Sequence, residues 1–259
     1  MTQYNISFAG AGRVAGALCR EMFRSGIKIR QVVSESESDG RPLADECKAL
    51  WSSELSFSDY NHAVIIAVPD HKLRDVLSSV KCREKCVVAH TAGSYGLEIF
   101  PDKLKRTGVF YPLQTFSKGR TVNFRDLPFL IEASGDDTEK ILNDLALSIG
   151  GKVHYIDSER RKMVHLAAVF MNNFTNYMLT AGTEVAAYAG LSTGIFEPLI
   201  RETIVKALDN GPEYSQTGPA IRNDLNTIEM HLELLSFSPE LQNLYREITD
   251  SIIKHYKKL

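Results

Sequence analysis

The stretch "NISFAGAGRVAGAL" limits the fold of this chain more than any other. An apolar run ends on Gly10-Ala11-Gly12, and a helical pattern begins at once. Gly10 permits a tight turn, Gly12 lets the backbone come close to a phosphate, and Ala15 or Gly16 keeps the helix near the strand. The amides that open such a helix bind phosphate oxygens without any side chain. Gly10, Ala11, Gly12, Arg13, Val14 and Ala15 are therefore the first candidates for holding a dinucleotide. A turn that merely packs a strand against a helix is the plainer alternative.

The pattern repeats. "KIRQVVS", "HAVIIAVP", "KCVVAHTAG", "GVFYPLQTF", "LPFLIEA" and "KVHYID" read as strands, several apolar throughout as strands covered on both faces are. Helical stretches stand between most of them, with short helices expected at "LADECKALW" and "HKLRDVLSSV". Strand-helix alternation predicts an α/β fold with a Rossmann-type doubly wound parallel sheet over residues 1–157. From Ser158 onward no strand is legible. The segment "SERRKMVHLAAVFMNNFTNYMLTAGTEVAAYAG" predicts one long helix capped by Ser158, and further helices are expected over 195–210, 219–235 and from 239 to the end. Residues 158–259 thus form an all-α C-terminal domain. The apolar and small residues of the long helix fit a domain core, and they fit a dimer interface as well.

The carboxyl edge of such a sheet is where ligands lie. Val68 and Pro69 in "AVPDHKL" end one strand and are expected at the adenosine or ribose side, although Pro69 also suits the start of a helix. His90, Thr91, Ala92 and Ser94 end the next strand, and Tyr111 and Gln114 the one after. Short polar groups leaving apolar strands are what a small-ligand pocket needs. On the long helix, Lys162, His165, Asn172, Asn173 and Asn176 recur at spacings of three, four and seven. A polar stripe on a buried helix must be hydrogen-bonded or face a cleft. His165 is the first candidate for proton transfer near neutral pH and His90 the second. Lys162 would polarise a carbonyl, and Asn172 or Asn173 would orient substrate. Thr217 and Arg222 suggest a capped helix start at Pro219 that suits a substrate carboxylate or phosphate.

Composition removes several classes. The net charge is −2 over 259 residues, so no overall field draws the chain to nucleic acid or an anionic membrane. No apolar run approaches the ~18 residues of a membrane helix. The N-terminal stretch does not read as a signal peptide. Four scattered cysteines fit reduced thiols in the cytoplasm, and no metal site is expected.

"GAGRVAG", "AVPD", "HTAGS", "YPLQTFS", "HLAAVFMNNF" and "TGPAIRND" occur in the order found in a bacterial family of Rossmann-like NADP oxidoreductases with a helical C-terminal domain of unknown function. The chain resembles that family over essentially its whole length. It is also similar to a wider group that includes pyrroline-5-carboxylate reductase, prephenate dehydrogenase and 6-phosphogluconate-dehydrogenase-like enzymes. The resemblance implies a homodimer built on the helical domain, with the active site between the two domains. In hydroxyisobutyrate-type relatives a lysine and an asparagine on the long helix do the chemistry. Lys162 and Asn172 or Asn173 are approximate counterparts, with His165 standing between them.

The function expected is therefore an NAD(P)-dependent oxidoreductase acting on a small carbonyl, imine or hydroxy acid. A non-catalytic dinucleotide-sensing homodimer is the alternative. Ser34, Glu35 and Ser36 follow the second strand, where the cofactor is chosen. Glu35 lies about 20 residues past the glycines, as the acid of an NAD site does. The resemblance tips the choice to NADP(H) over NAD(H), with the serines, Arg13 or Arg41 meeting the extra phosphate.

Overall fold

The computed structural model describes residues 4–117 and 119–257. The chain folds into two compact units, Met1–Asn172 and Asn173–Leu259. The sheet ends before residue 158, but the first helix of the C-terminal stretch belongs to the first unit.

The first unit is built on one sheet of eight strands among the described residues: β1 (Asn5–Ala9), β2 (Lys28–Val33), β3 (Leu50–Ser52), β4 (Ala63–Ile66), β5 (Val87–His90), β6 (Thr107–Pro112), β7 (Pro128–Ala133) and β8 (Lys152–Tyr155). Their order is β3-β2-β1-β4-β5-β6-β7-β8. The first six strands follow the arrangement of dinucleotide-binding sheets, which reverses direction between β1 and β4. Every pairing is parallel except β6 with β7, so the sheet is mixed rather than wholly parallel.

Helices α1 (Arg13–Arg24), α2 (Glu37–Glu46), α3 (Asp70–Ser79) and α4 (Asp136–Ser148) accompany the sheet. In α1, Ala15, Leu18, Cys19 and Met22 are buried, the three-and-four spacing of a helix face turned to a core. The strands bury both sides. Ala63 and Ile65 of β4 join Phe8, Phe110 and Phe129 in one core, whereas Val64 and Ile66 join Leu73 and Leu77 in another. Successive side chains of a strand point to opposite faces, which explains why "AVII" shows no alternation in its sequence.

Three local expectations need correction. The helix expected at "LADECKALW" starts earlier, at Glu37, because the Ser36 hydroxyl accepts from the Asp39 amide and caps it. It stops where Lys48 takes a φ of 53°, and Leu50–Ser52 becomes the edge strand β3. The long helix is capped by Asp157, not Ser158, and is not uniform. It consists of α5 (Ser158–Ala168), a wide π-helical turn over Val169–Phe174, and α6 (Thr175–Tyr188). A π turn shifts every later residue around the axis, so the stripe of spacings three, four and seven is broken at Asn172 and Asn173.

The second unit continues with α7 (Glu197–Asn210), α8 (Pro212–Ser215), α9 (Leu225–Leu234) and α10 (Pro239–Tyr256). No helix begins at Pro219. Residues 218–223 turn instead, and Asp224 caps α9 by accepting from the backbone amide and hydroxyl of Thr227. A carboxylate cap satisfies the first-turn donors better than the upstream Thr217 would. Thr217 and Arg222 therefore lie outside any helix start. No described helix is long and apolar enough to cross a membrane.

Candidate active site

The first unit holds a cleft of about 900 Å³ at the point where the strand order reverses. Its floor is the turn from β1 into α1. Gly10 has a φ of +110°, and a Cβ there would lie 2.2 Å from the Ala67 carbonyl oxygen. Only glycine lets the ends of β1 and β4 come that close. At Gly12 a Cβ would meet nothing within 4 Å, so the backbone faces open space. No side chain caps the start of α1. Its first-turn amides are thus left to the cleft, as an anion-binding helix start requires. The fit to a dinucleotide pyrophosphate rests on these three observations.

Gly10, Ala11, Gly12 and Arg13 line the cleft, as do Ser34, Glu35 and Ser36 from the end of β2. Val68 and Pro69 line it from the end of β4, and Pro69 also precedes α3 directly. Ala15 is fully buried and packs α1 onto the sheet instead, and Val14 is not part of the lining.

A second cluster forms in the same unit, around the loop after β5. Tyr111 at the end of β6 and His165 on α5 share a hydrogen bond of 3.0 Å between the phenol oxygen and Nδ1. Their rings meet edge to face. Gly93 passes against both. A Cβ there would stand 2.7 Å from His165 Nδ1 and 3.0 Å from Tyr111 Cζ. Burial, and then the negative charge of Asp70, push the Tyr111 phenol above its ordinary pKa, so it stays protonated. Ser94 donates to Asp70 at 2.5 Å. Among the described residues, no hydrogen bond engages Nε2 of His165.

The loop is tied down by an ion pair and hydrogen bonds. The buried Arg161 pairs with Glu132 of β7 at 2.5 Å and donates to the Tyr95 carbonyl at 2.6 Å. Ser158 donates to the same Glu132 carboxylate. His90 completes the clamp. It is fully buried and stacks on Phe100, accepts from the Ala92 amide at Nδ1, and brings Nε2 to 3.4 Å from the Gly96 carbonyl. Burial first, with the nearby Arg161 charge adding to it, lowers its pKa to about 4 against the opposing Gly96 bond. A neutral imidazole with both nitrogens occupied holds a loop rather than moving protons. As placed, neither nitrogen of His90 is left unengaged.

The other expected residues scatter. Thr91 donates its amide to Ile66 and, like Ala92, is not part of the cleft lining. Gln114 is exposed, its side chain accepting from the next amide. Lys162 is drawn to Glu159 at 2.9 Å and Glu98 at 3.8 Å, and Glu159 above all raises its pKa. Asn172 lies exposed at the end of the first unit. Asn173, Asn176, Thr217 and Arg222 belong to the second unit; Asn173, Thr217 and Arg222 are exposed there, as is Asn176. Asp70, Lys72, Glu132 and Arg161 were not expected from the sequence. The first two follow Pro69 at the carboxyl edge, which was the available signal. Nothing in the sequence singles out Arg161 within "SERRK".

Residues 5–93 match the family described as coenzyme F420-dependent NADP oxidoreductase, and residues 127–252 match a domain of unknown function (DUF2520). A Bacteroides fragilis protein assigned as an NADP oxidoreductase is 37% identical over 97% of this chain and 98% of its own, with a TM-score of 0.88. A Thermotoga maritima protein is 23% identical, with 98% of both chains covered and a TM-score of 0.72. The reductive aminase of Aspergillus terreus, solved with NADPH and ethyl-5-oxohexanoate, has the same TM-score of 0.72. It is 13% identical over 98% of this chain and 95% of its own, which is a likeness of fold alone. No protein of curated function matches the sequence.

Proposed function

The chain belongs to the same family as the Bacteroides fragilis NADP oxidoreductase, and from that premise we propose that it is an NADP(H)-dependent oxidoreductase acting on a small carbonyl, imine or hydroxy-acid substrate. A nicotinamide held beyond the glycine turn supplies or accepts the hydride. The Gly10–Arg13 backbone and the open start of α1 would hold the pyrophosphate. Val68 and Pro69 border the adenosine side.

The observation that carries the reading is the Tyr111–His165 pair. Reduction of a carbonyl or imine needs one proton delivered to oxygen or nitrogen. His165 is the donor, and it is the accepting base in the reverse direction. Tyr111, kept neutral by burial, engages Nδ1 and leaves Nε2 as the nitrogen that exchanges the proton. Gly93 keeps the loop close enough for both rings to sit against it. A non-catalytic dinucleotide sensor has no use for a histidine oriented in this way. Ser94 and Asn172 are proposed to orient substrate.

The same reading includes a homodimer in the cytoplasm. Exposed apolar side chains on α6 and α7 support a second copy as the partner. Four free cysteines support a reducing compartment, with Cys19 Sγ donating to Cys47 Sγ at 3.4 Å and no disulfide between them.

The test is a screen of small ketones, imines and hydroxy acids with NADPH and NADP, followed by His165→Ala on the best substrate. Turnover is expected to fall by about 10²-fold or more, the size of a lost general acid, with NADPH affinity unchanged. Wild-type turnover in that variant removes His165 from the mechanism.

A further inference from the structure

Selection between NADP(H) and NAD(H) is made at the end of β2, and the groups expected to make it there are engaged elsewhere. The Ser34 hydroxyl donates to the Ser36 carbonyl at 2.7 Å and accepts from the Trp51 indole at 3.1 Å. A hydroxyl has one proton, so Ser34 has none left for a phosphate. Ser36 caps α2 and shares its remaining proton position with Ser38 at 2.9 Å. Arg41 is bound to Glu37 at 2.6 Å, lies over the Trp51 ring, and does not line the cleft. Arg20 and Arg24 line it but are paired with Glu46 and Glu21.

Lys72 is placed differently. It sits in the first turn of α3, beyond the end of β4, and reaches across the reversal point to Glu35. Its Nζ lies 2.5 Å from Glu35 Oε2, and both side chains line the cleft. Glu35 is therefore turned toward a lysine. Arg13, the first residue of α1, also lines the cleft and makes no ion pair among the described residues.

We propose that Lys72 selects the 2′-phosphate of NADP(H), with Glu35 as its counter-ion in the free protein; the inference rests on the dinucleotide reading above. A 2′-phosphate carries more charge than one carboxylate and competes successfully for the ammonium group, with Arg13 adding a second cation. Glu35 is the group that would accept from a free 2′-hydroxyl, as in an NAD site, and with Lys72 on Oε2 only its Oε1 is left for that bond. One lysine thus attracts the phosphate and draws on one oxygen of the acid that favours its absence.

The two members of the pair must then act with opposite sign. Full-length protein, Lys72→Ala and Glu35→Ala are each titrated with NADPH, NADH, 2′,5′-ADP and 5′-AMP by calorimetry. Lys72→Ala is expected to weaken NADPH and 2′,5′-ADP by about tenfold or more, as for one lost charge-assisted contact, with NADH and 5′-AMP held or tightened. Glu35→Ala is expected to weaken NADH while NADPH is held or tightened. Equal weakening of all four ligands by Lys72→Ala, or no change in any, overturns the role of Lys72. Failure of every ligand to bind the wild-type protein overturns the dinucleotide reading instead, and the two failures are distinguishable.

Discussion

His90 and His165 are the same side chain in different settings, and burial is what separates them. Both stand beside apolar runs in the sequence, and nothing local separates them. In the structure His90 is sealed under Phe100 with both nitrogens occupied, whereas His165 is half-buried against Tyr111 with one nitrogen engaged. His90 has a consequence for stability. The unfolded chain takes up its proton near pH 6.5, the folded protein only near 4. Between those values the unfolded state binds the extra proton, so stability falls as pH is lowered through that window, by up to ~3 kcal/mol. Denaturant midpoints of the wild type are expected to drop across that window more steeply than those of His90→Asn. Parallel pH profiles contradict the burial argument. Glu35 shows the other limit of single-residue reading. Its position was legible as the cofactor-choosing one, but not its engagement by Lys72, which lies 37 residues further on.

Elements were legible where a repeating physical signal marked them. The glycine turn, the buried strands β4 and β5, and the face of α1 all follow from their spacing. The failures occur where a single contact overrides a pattern. The Ser36 and Asp224 caps moved two helix starts, Lys48 ended α2 early, and the π turn re-phased the polar stripe. None of these is encoded in periodicity. The helices of the second unit also differ from expectation in their burial. On α7, Ile204 is 45% exposed, Val205 51% and Leu208 80%, all on one side of the helix, and α7 buries no residue fully. An apolar helix face left in water costs roughly 1.5–3 kcal/mol per large side chain relative to burying it, which the proposed second copy of the chain would recover. The wild type is expected to sediment as a dimer, and Val205→Lys with Leu208→Lys to shift it toward monomer. A monomeric wild type at micromolar concentration removes the homodimer from the proposal.

At the scale of the molecule, the fold class was readable because strand–helix alternation and the β1–α1 turn leave few other topologies. The mixed pairing of β6 with β7 was not, since an antiparallel strand buried on both faces looks like its parallel neighbours. Unit Met1–Asn172 carries the glycine turn, the open helix start, the cleft and the Tyr111–His165 pair together. The central claim is that this cleft holds NADPH through backbone contacts at Gly12. The most direct measurement is a calorimetric titration of NADPH into the wild type and Gly12→Ala side by side. A Cβ at Gly12 meets nothing within the protein, so the variant keeps its fold, but it occupies the space the pyrophosphate needs. Saturable binding at one site per chain, lost by about 10²-fold or more in a variant of unchanged melting temperature, is the predicted result. Equal NADPH affinity in the two proteins, or none in the wild type, contradicts the account.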